Sequence, residues 1–270
     1  MLKNISIGFI GAGNMGSAII KGIFNGKLKF GSIFVYDLDK EKQKALEEEY
    51  GTISVSSEQE LAEKASLVFL SVKPQQLDEA LGRIKDAVCE KNTVLVSICA
   101  GINEEYIKAR THENAKVVLV MPNTPLLLGK GATALAKGSS VAEDEFNIVR
   151  DIFSSCGKAV VIDKAQMKEI IAVNGSSPAF VYLFAKAFID YAASSGIAPE
   201  AARDLFCQVL NGSAEMLTQS GLSTEALIAQ VASKGGTTEA GLSALREGGF
   251  EALVRNACEA CTKRAYELGN

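Results

Sequence analysis

The stretch that most constrains this chain is Gly8 to Ala18, G-F-I-G-A-G-N-M-G-S-A, which carries three glycines in the spacing Gly11-x-Gly13-x-x-Gly16. The residues leading into it, Ile5, Ile7, Phe9 and Ile10, are β-branched or aromatic and predict a buried strand ending at Gly11; Met15 to Phe24 predicts the helix that follows. In that strand-turn-helix setting each glycine has a task. Gly11 permits the tight turn, Gly13 lets the backbone approach a pyrophosphate, and Gly16 lets the helix pack closely on the strand, while Ala12, Asn14 and Met15 complete the turn. Asp37 follows Gly16 by about twenty residues, at the end of a second expected strand, Ser32 to Tyr36, where an acid binds a dinucleotide ribose.

The same alternation continues downstream. Asp39 is placed to cap a helix over Lys40 to Tyr50, a short strand is expected near Ile53 to Val55, and Ser57 with Glu60 reads as a capping box. Leu67 to Val72 is a fully apolar run that suits a strand buried on both faces of a parallel sheet. It exits into Ser71-Val72-Lys73-Pro74, with Pro74 starting a helix through Gly82. Thr93 to Ile98 is the next strand, ending at Ala100-Gly101, and Asn103 caps the helix after it. Val117 to Val120 then exits into Met121-Pro122-Asn123-Thr124-Pro125. Ligands of a doubly wound sheet bind outside the carboxyl ends of its strands, so Ser71, Val72, Lys73, Pro74, Ala100, Gly101, Met121 and Asn123 are expected around the nicotinamide half of a cofactor. Strands at Ala132 to Ala136 and Ala159 to Ile162 flank a helix at Glu143 to Ser155.

The strand pattern stops there. From Ala165 onward the chain reads as helical, with breaks expected at Asn174-Gly175, Gly196, Gly212, Gly221, Gly235-Gly236 and Gly248-Gly249. The expectation is a Rossmann-type α/β domain, doubly wound around a mainly parallel sheet, over residues 1–163, and an all-α domain over 164–270. Pro178 to Ser195 is apolar on nearly every side, yet Lys186 and Asp190 argue against a membrane span. About a hundred helical residues do not enclose such an element alone, so a second copy is expected to wrap it in an obligate two-fold dimer.

Bulk properties narrow the partners. A net charge of −4 with scattered basic residues indicates neither a nucleic-acid groove nor a membrane patch. Met1 to Asn4 leads directly into a strand without a leader pattern, and a cytoplasmic location is expected. The six cysteines read as small buried hydrophobes rather than a disulfide framework; Cys258 and Cys261 form a lone CxxC without a second pair, and no metal is expected. The only histidine, His112, sits in a polar segment and reads as a solvated loop or helix-end residue.

A second glycine pair is the other chemically loaded stretch. Val231 to Glu239, V-A-S-K-G-G-T-T-E, becomes a helix around Thr237, so that Gly235 and Gly236 expose its first N–H groups to a carboxylate or phosphate. A glycine C-cap followed by a threonine N-cap explains the same residues without a ligand. Taken with Gly11 to Gly16, Val72-Lys73-Pro74, Met121 to Pro125 and Gly175 to Phe180, the stretch Ser233 to Leu242 resembles pyrroline-5-carboxylate reductase, in order and over essentially the whole chain. The resemblance implies reduction of 1-pyrroline-5-carboxylate to L-proline by NADPH or NADH, in dimers that often assemble into decamers. It implies that Ser177, Ser233, Gly235, Gly236, Thr237 and Thr238 bind substrate, with the Thr238 hydroxyl on the ring nitrogen relaying a proton. With cofactor and substrate loops in different domains, and in different subunits of the expected dimer, activity is expected to depend on dimerisation.

Three departures from the family pattern stand out. Lys234 replaces a usual proline, and Asn174 a usual serine. Asp37 favours a ribose 2′-hydroxyl and repels a 2′-phosphate, whereas most of the family prefers NADPH; Lys40 and Lys42 are near enough in sequence to offset it, which leaves the two cofactors balanced. Two other functions share parts of the layout. A β-hydroxyacid dehydrogenase needs a catalytic lysine shortly after residue 175, and Ser176 to Tyr182 has none, Lys186 coming too late. A nucleotide-binding sensor without turnover would not need an intact Gly235-Gly236-Thr237-Thr238.

Overall fold

The computed structural model describes residues 2–26 and 28–268; Met1 and residues 269–270, the outer limits of the expected domains, lie outside them. Among the described residues one eight-stranded sheet runs in the order β3-β2-β1-β4-β5-β6-β7-β8. Its strands are β1 (Ser6–Ile10), β2 (Ser32–Tyr36), β3 (Ile53–Ser54), β4 (Leu67–Leu70), β5 (Val94–Ser97), β6 (Lys116–Met121), β7 (Gly131–Lys137) and β8 (Gly157–Val161). All neighbours pair in parallel except β6 and β7, which are antiparallel. The order grows outward in one direction from β1 through β3 and in the other from β4, so the strand order reverses between β1 and β4. That is the place where a doubly wound sheet opens a binding crevice.

Side-chain alternation divides the core between the two faces. Ile7 and Phe9 of β1 and Leu67 and Phe69 of β4 point to the face covered by α1 (Asn14–Asn25), α2 (Lys40–Tyr50) and α6 (Glu143–Ser154), where the Phe9 and Phe69 rings stack 4.5 Å apart. Ile10, Val68 and Leu70 point to the other, covered by α3 (Glu58–Lys64), α4 (Pro74–Lys91) and α5 (Glu104–Arg110). Gly22 of α1 leaves room for the Cys156 sulfur: a Cβ there would sit 2.0 Å from it.

Most helix starts obey local chemistry. Asp39 accepts from the Glu41 amide and Asn103 from the Tyr106 amide. The capping box of α3 is displaced by one residue: Ser57 accepts from the Glu60 amide, but the Glu60 carboxylate turns to Ser56, accepting from both its amide and its hydroxyl. Two expected interruptions are absent. The helix opened by Pro74 runs past Gly82 to Lys91, and α8 (Pro199–Gln219) runs unbroken through Gly212. Asn174-Gly175 does not break the chain into a loop either; Ile171–Gly175 is a π-helical turn leading into α7 (Ser177–Ser194).

Two compact units result, Met1–Ser176 with Ala260–Asn270, and Ser177–Glu259. The second is all helical, comprising α7, α8, α9 (Thr224–Val231), α10 (Thr237–Glu247) and most of α11 (Phe250–Leu268). Phe184, Phe188, Phe206 and Phe250 join α7, α8 and α11 in one aromatic cluster, with Phe188 stacked on Phe206 at 4.3 Å. The rest of α7 is not enclosed within the single chain: Ala192 is its one buried residue among those described, and Leu183 is 70% exposed. Among the described residues no helix is long and apolar enough to cross a membrane.

Candidate active site

At the β1–β4 reversal the three glycines of the first motif have distinct steric properties. Gly11 has a φ of +99°, and a Cβ on it would lie 2.6 Å from the Ser71 carbonyl oxygen. Gly16 is equally closed, its Cβ position lying 2.5 Å from the Gly11 carbonyl oxygen, so α1 rests directly on the turn. Gly13 differs: nothing lies within 4 Å of a Cβ there, and it forms the N-cap of α1 with no side chain capping the helix. Its openness faces a cleft of about 500 Å³ lined by Gly11, Gly13, Asp37, Ser71, Val72 and Lys73 among others. The Ser71 hydroxyl is buried without a hydrogen-bond partner among the described residues. An uncapped helix start, a glycine with space before it and an orphaned hydroxyl together fit a pyrophosphate.

Asp37 closes the turn from the β2 side. Its Oδ2 accepts from the Ala12 amide at 2.6 Å and its Oδ1 from the Asp39 amide at 2.9 Å, which fixes the carboxylate at the cleft. Asn14 is exposed and Met15 half-buried at the start of α1; Lys73 is exposed at the N-cap of α4, and the side chain of Pro74 lies outside the described residues.

A second cleft, of about 350 Å³, opens where β5 and β6 end, with Ser97, Cys99, Gly101, Met121, Lys164 and Tyr266 in its walls. Cys99 is no nucleophile. Burial pushes its thiol up to about 12, and its sulfur points at the carbonyls of Leu70 and Val72, tying the β5 exit to the β4 exit. Gly101 is buried beneath α11, whose Ala265 carbonyl oxygen would sit 2.5 Å from a Cβ, so it serves close packing; Ala100 beside it is half-buried. Met121 and Asn123 are buried, and Asn123 is fully engaged within the fold. Its side chain donates to the Asn174 carbonyl at 3.0 Å and accepts from the Ala132 amide at 2.9 Å. Asn174 returns the contact, donating from Nδ2 to the carbonyls of Met121 at 2.7 Å and Ala132 at 3.0 Å. This reciprocal pair of amides is the feature that sequence reasoning left without an explanation.

The second glycine pair sits at the start of α10. Gly235 has a φ of +73° and its amide donates to the Glu239 carboxylate at 2.6 Å. Gly236 is the N-cap; its amide donates to the Ser233 carbonyl, and a Cβ there would meet the Ser233 hydroxyl at 2.6 Å. With those two amides occupied and no side-chain cap, Thr237 and Thr238 present the first N–H groups of the helix. Thr238 also faces a largely apolar groove of about 570 Å³ with Val209, Met216, Leu227, Val231 and Leu242. Lys234 is exposed beside it, and Ser177 begins α7 half-buried.

Other candidates separate from these sites. Only Cys99 and Cys156 among the described cysteines are buried; Cys89 and Cys207 are exposed, and Cys258 and Cys261 are half-buried within α11, so the uniform reading of cysteines as core residues does not hold. His112 follows α5 in a loop but is half-buried rather than solvated. Among the described residues no three His, Cys, Asp or Glu side chains group to hold a metal.

Comparison with known proteins points the same way for both units. Residues 164–268 match the family model described as pyrroline-5-carboxylate reductase dimerisation, and residues 6–101 match that described as NADP oxidoreductase, coenzyme F420-dependent. The pyrroline-5-carboxylate reductase of Escherichia coli (strain K12) is 35% identical, covering 97% of each chain. Pyrroline-5-carboxylate reductase 3 of Danio rerio is also 35% identical, over 98% of this chain and 92% of its own. The crystal structure of Plasmodium falciparum pyrroline carboxylate reductase with NADP bound superposes over the full length of both chains with a TM-score of 0.91 at 32% identity.

Proposed function

The chain belongs to the pyrroline-5-carboxylate reductase family, and from that premise we propose how its residues divide the reaction. The enzyme is an NAD(P)H-dependent oxidoreductase that reduces the cyclic imine 1-pyrroline-5-carboxylate to L-proline, the last step of proline biosynthesis. The cofactor, when bound, supplies the hydride that the imine carbon accepts. In our reading the Gly11 to Gly16 turn and the Ser71 hydroxyl hold the pyrophosphate, Asp37 the adenosine ribose, and the β4 to β6 exits, through Val72, Lys73, Pro74, Ala100, Gly101, Met121 and Asn123, border the nicotinamide. Asn123 and Gly101 act there as positioning residues, because their groups are engaged within the fold.

The substrate carboxylate is assigned to the start of α10, held by the Thr237 and Thr238 amides in a loop shaped by Ser233, Gly235 and Gly236, with Ser177 as a further contact. The observation that carries this reading is the occupancy of the Gly235 and Gly236 amides, which leaves the next two to a ligand. Thr238 hydrogen-bonds the ring nitrogen and relays to it a proton taken up from solvent, its hydroxyl regaining the proton it passes on; the iminium so formed accepts the hydride without a strong base. Thr238→Ala is expected to lower kcat by roughly a hundredfold, with the NADH dissociation constant unchanged and Thr238→Ser recovering part of the loss. Turnover at the wild-type rate in Thr238→Ala removes Thr238 from the chemistry.

The dimerisation family model supports an oligomer. We read that oligomer as an obligate two-fold dimer built on the helical unit, assembling further into decamers, and working in the cytoplasm.

A further inference from the structure

We propose that Asp37 makes this enzyme an NADH-preferring member of its family; the inference rests on the cofactor reading above and concerns the one residue that distinguishes the two nucleotides. NADH and NADPH differ only at the adenosine ribose, where the first carries a 2′-hydroxyl and the second a dianionic phosphate. Asp37 stands where that ribose binds, at the end of β2 on the wall of the glycine-turn cleft. Each of its carboxylate oxygens already accepts one backbone N–H, from Ala12 and Asp39, so the group is held in place. A carboxylate has about four lone-pair sites. Those that remain suit the two hydroxyls of an unmodified ribose and repel a phosphate.

The neighbouring cations do not reverse this. Among the described residues no Lys or Arg forms an ion pair with Asp37. Lys40 donates to Gln43 at 2.8 Å and lies over the Tyr36 ring. Lys42 pairs with Asp39 at 3.6 Å, and turning it toward a phosphate would leave a second carboxylate unpaired beside the first. Arg83 is forked between Glu58 and Glu79. Lys73, also on the cleft wall, belongs to the β4 exit, two residues beyond the Ser71 that abuts the glycine turn. The cations that most of a 2′-phosphate's affinity requires are therefore engaged elsewhere or placed at another part of the nucleotide.

The test is a binding titration on the full-length protein, following nicotinamide fluorescence or heat. Wild type is expected to bind NADH at least about tenfold more tightly than NADPH, the effect of one close like-charge contact. Rising salt should narrow that ratio, because screening acts on the one charge the nucleotides do not share. Asp37→Asn keeps an acceptor for the Ala12 amide and removes the charge; Asp37→Ser also makes room. Both should tighten NADPH and weaken NADH, moving the ratio toward or past unity. NADPH binding as tight as NADH in wild type, or a ratio unmoved by salt and by both substitutions, overturns the inference while leaving the reductase assignment standing. Failure of wild type to bind either nucleotide overturns the cofactor reading along with it.

Discussion

The environment of Asn174 explains why an amide stands at this position. Its Nδ2 faces two carbonyl oxygens, of Met121 and Ala132, while its own carbonyl takes the Asn123 amide, so the π-helical turn is fastened to the ends of both β6 and β7. The position demands a donor. Its Oδ1 is buried and makes no hydrogen bond among the described residues, so nothing there rewards an acceptor. Leaving a buried carbonyl unsatisfied costs about 1–3 kcal/mol. Asn174→Ala should therefore lower the melting temperature by several degrees, and Asn174→Asp, which turns a carboxylate toward two carbonyls, should lower it further despite its closer shape. An Asn174→Asp variant as stable as wild type in a thermal melt contradicts the donor requirement. None of this was legible in the sequence, because the bonds join residues more than forty positions apart. Gly11, Gly13 and Gly16 were legible because their pattern is local, a strand, a turn and a helix start within residues 6–16, although the Ser71 carbonyl that closes the space at Gly11 is distant in sequence.

At the scale of elements, the parallel strands and most caps follow from short-range pattern, whereas a glycine in the sequence does not by itself end a helix: α4 and α8 continue through Gly82 and Gly212. Gly221, which follows α8, has a φ of +71°, whereas Gly212 lies inside that helix with no such requirement; neither has an atom within 4 Å of its Cβ position, so backbone conformation alone separates the two. The ion cluster that joins α5 to the chain beyond it is likewise a tertiary fact. Glu104, 1% exposed at the start of α5, takes hydrogen bonds from Ser139 and ion pairs from Lys108 at 2.7 Å and Lys164 at 2.9 Å. Burial is the largest influence on its carboxyl and opposes ionisation, but the three donors together outweigh it and hold the group at about 2, below an ordinary 4.5. A folded-state value depressed in this way adds stability that is present above the unfolded value and is lost as pH falls from about 4.5 toward about 2. The shift corresponds to something on the order of 3 kcal/mol. Urea midpoints measured through that window should fall more steeply for wild type than for Glu104→Gln, which binds no proton there. Equal slopes would show that the cluster does not contribute through Glu104.

For the whole molecule the two units pose different energetic problems. The α/β unit closes its core on both faces of the sheet, with Ile7, Phe9, Val68 and Leu70 at or near zero exposure. The helical unit does not close within one chain. Leu183, Leu205, Val231 and Leu253 are 63–70% exposed, beyond what single scattered apolar residues on a monomer surface account for. Burying a leucine side chain contributes about 1.5–3 kcal/mol, so a second copy covering even these four adds several kcal/mol and makes folding of the helical unit depend on association. Two consequences can be measured together. The melting temperature should rise with protein concentration, because a partner that binds only the folded state stabilises it by mass action. Leu183→Glu and Leu205→Glu should each shift the sedimenting species toward monomer and lower helical content, since a buried charge at the centre of α7 or on α8 cannot be accommodated between copies. A wild-type chain that sediments as a folded monomer at micromolar concentration, with full helical content and a concentration-independent melt, would mean that the exposed leucines are tolerated in water and that the second copy is not what completes this fold.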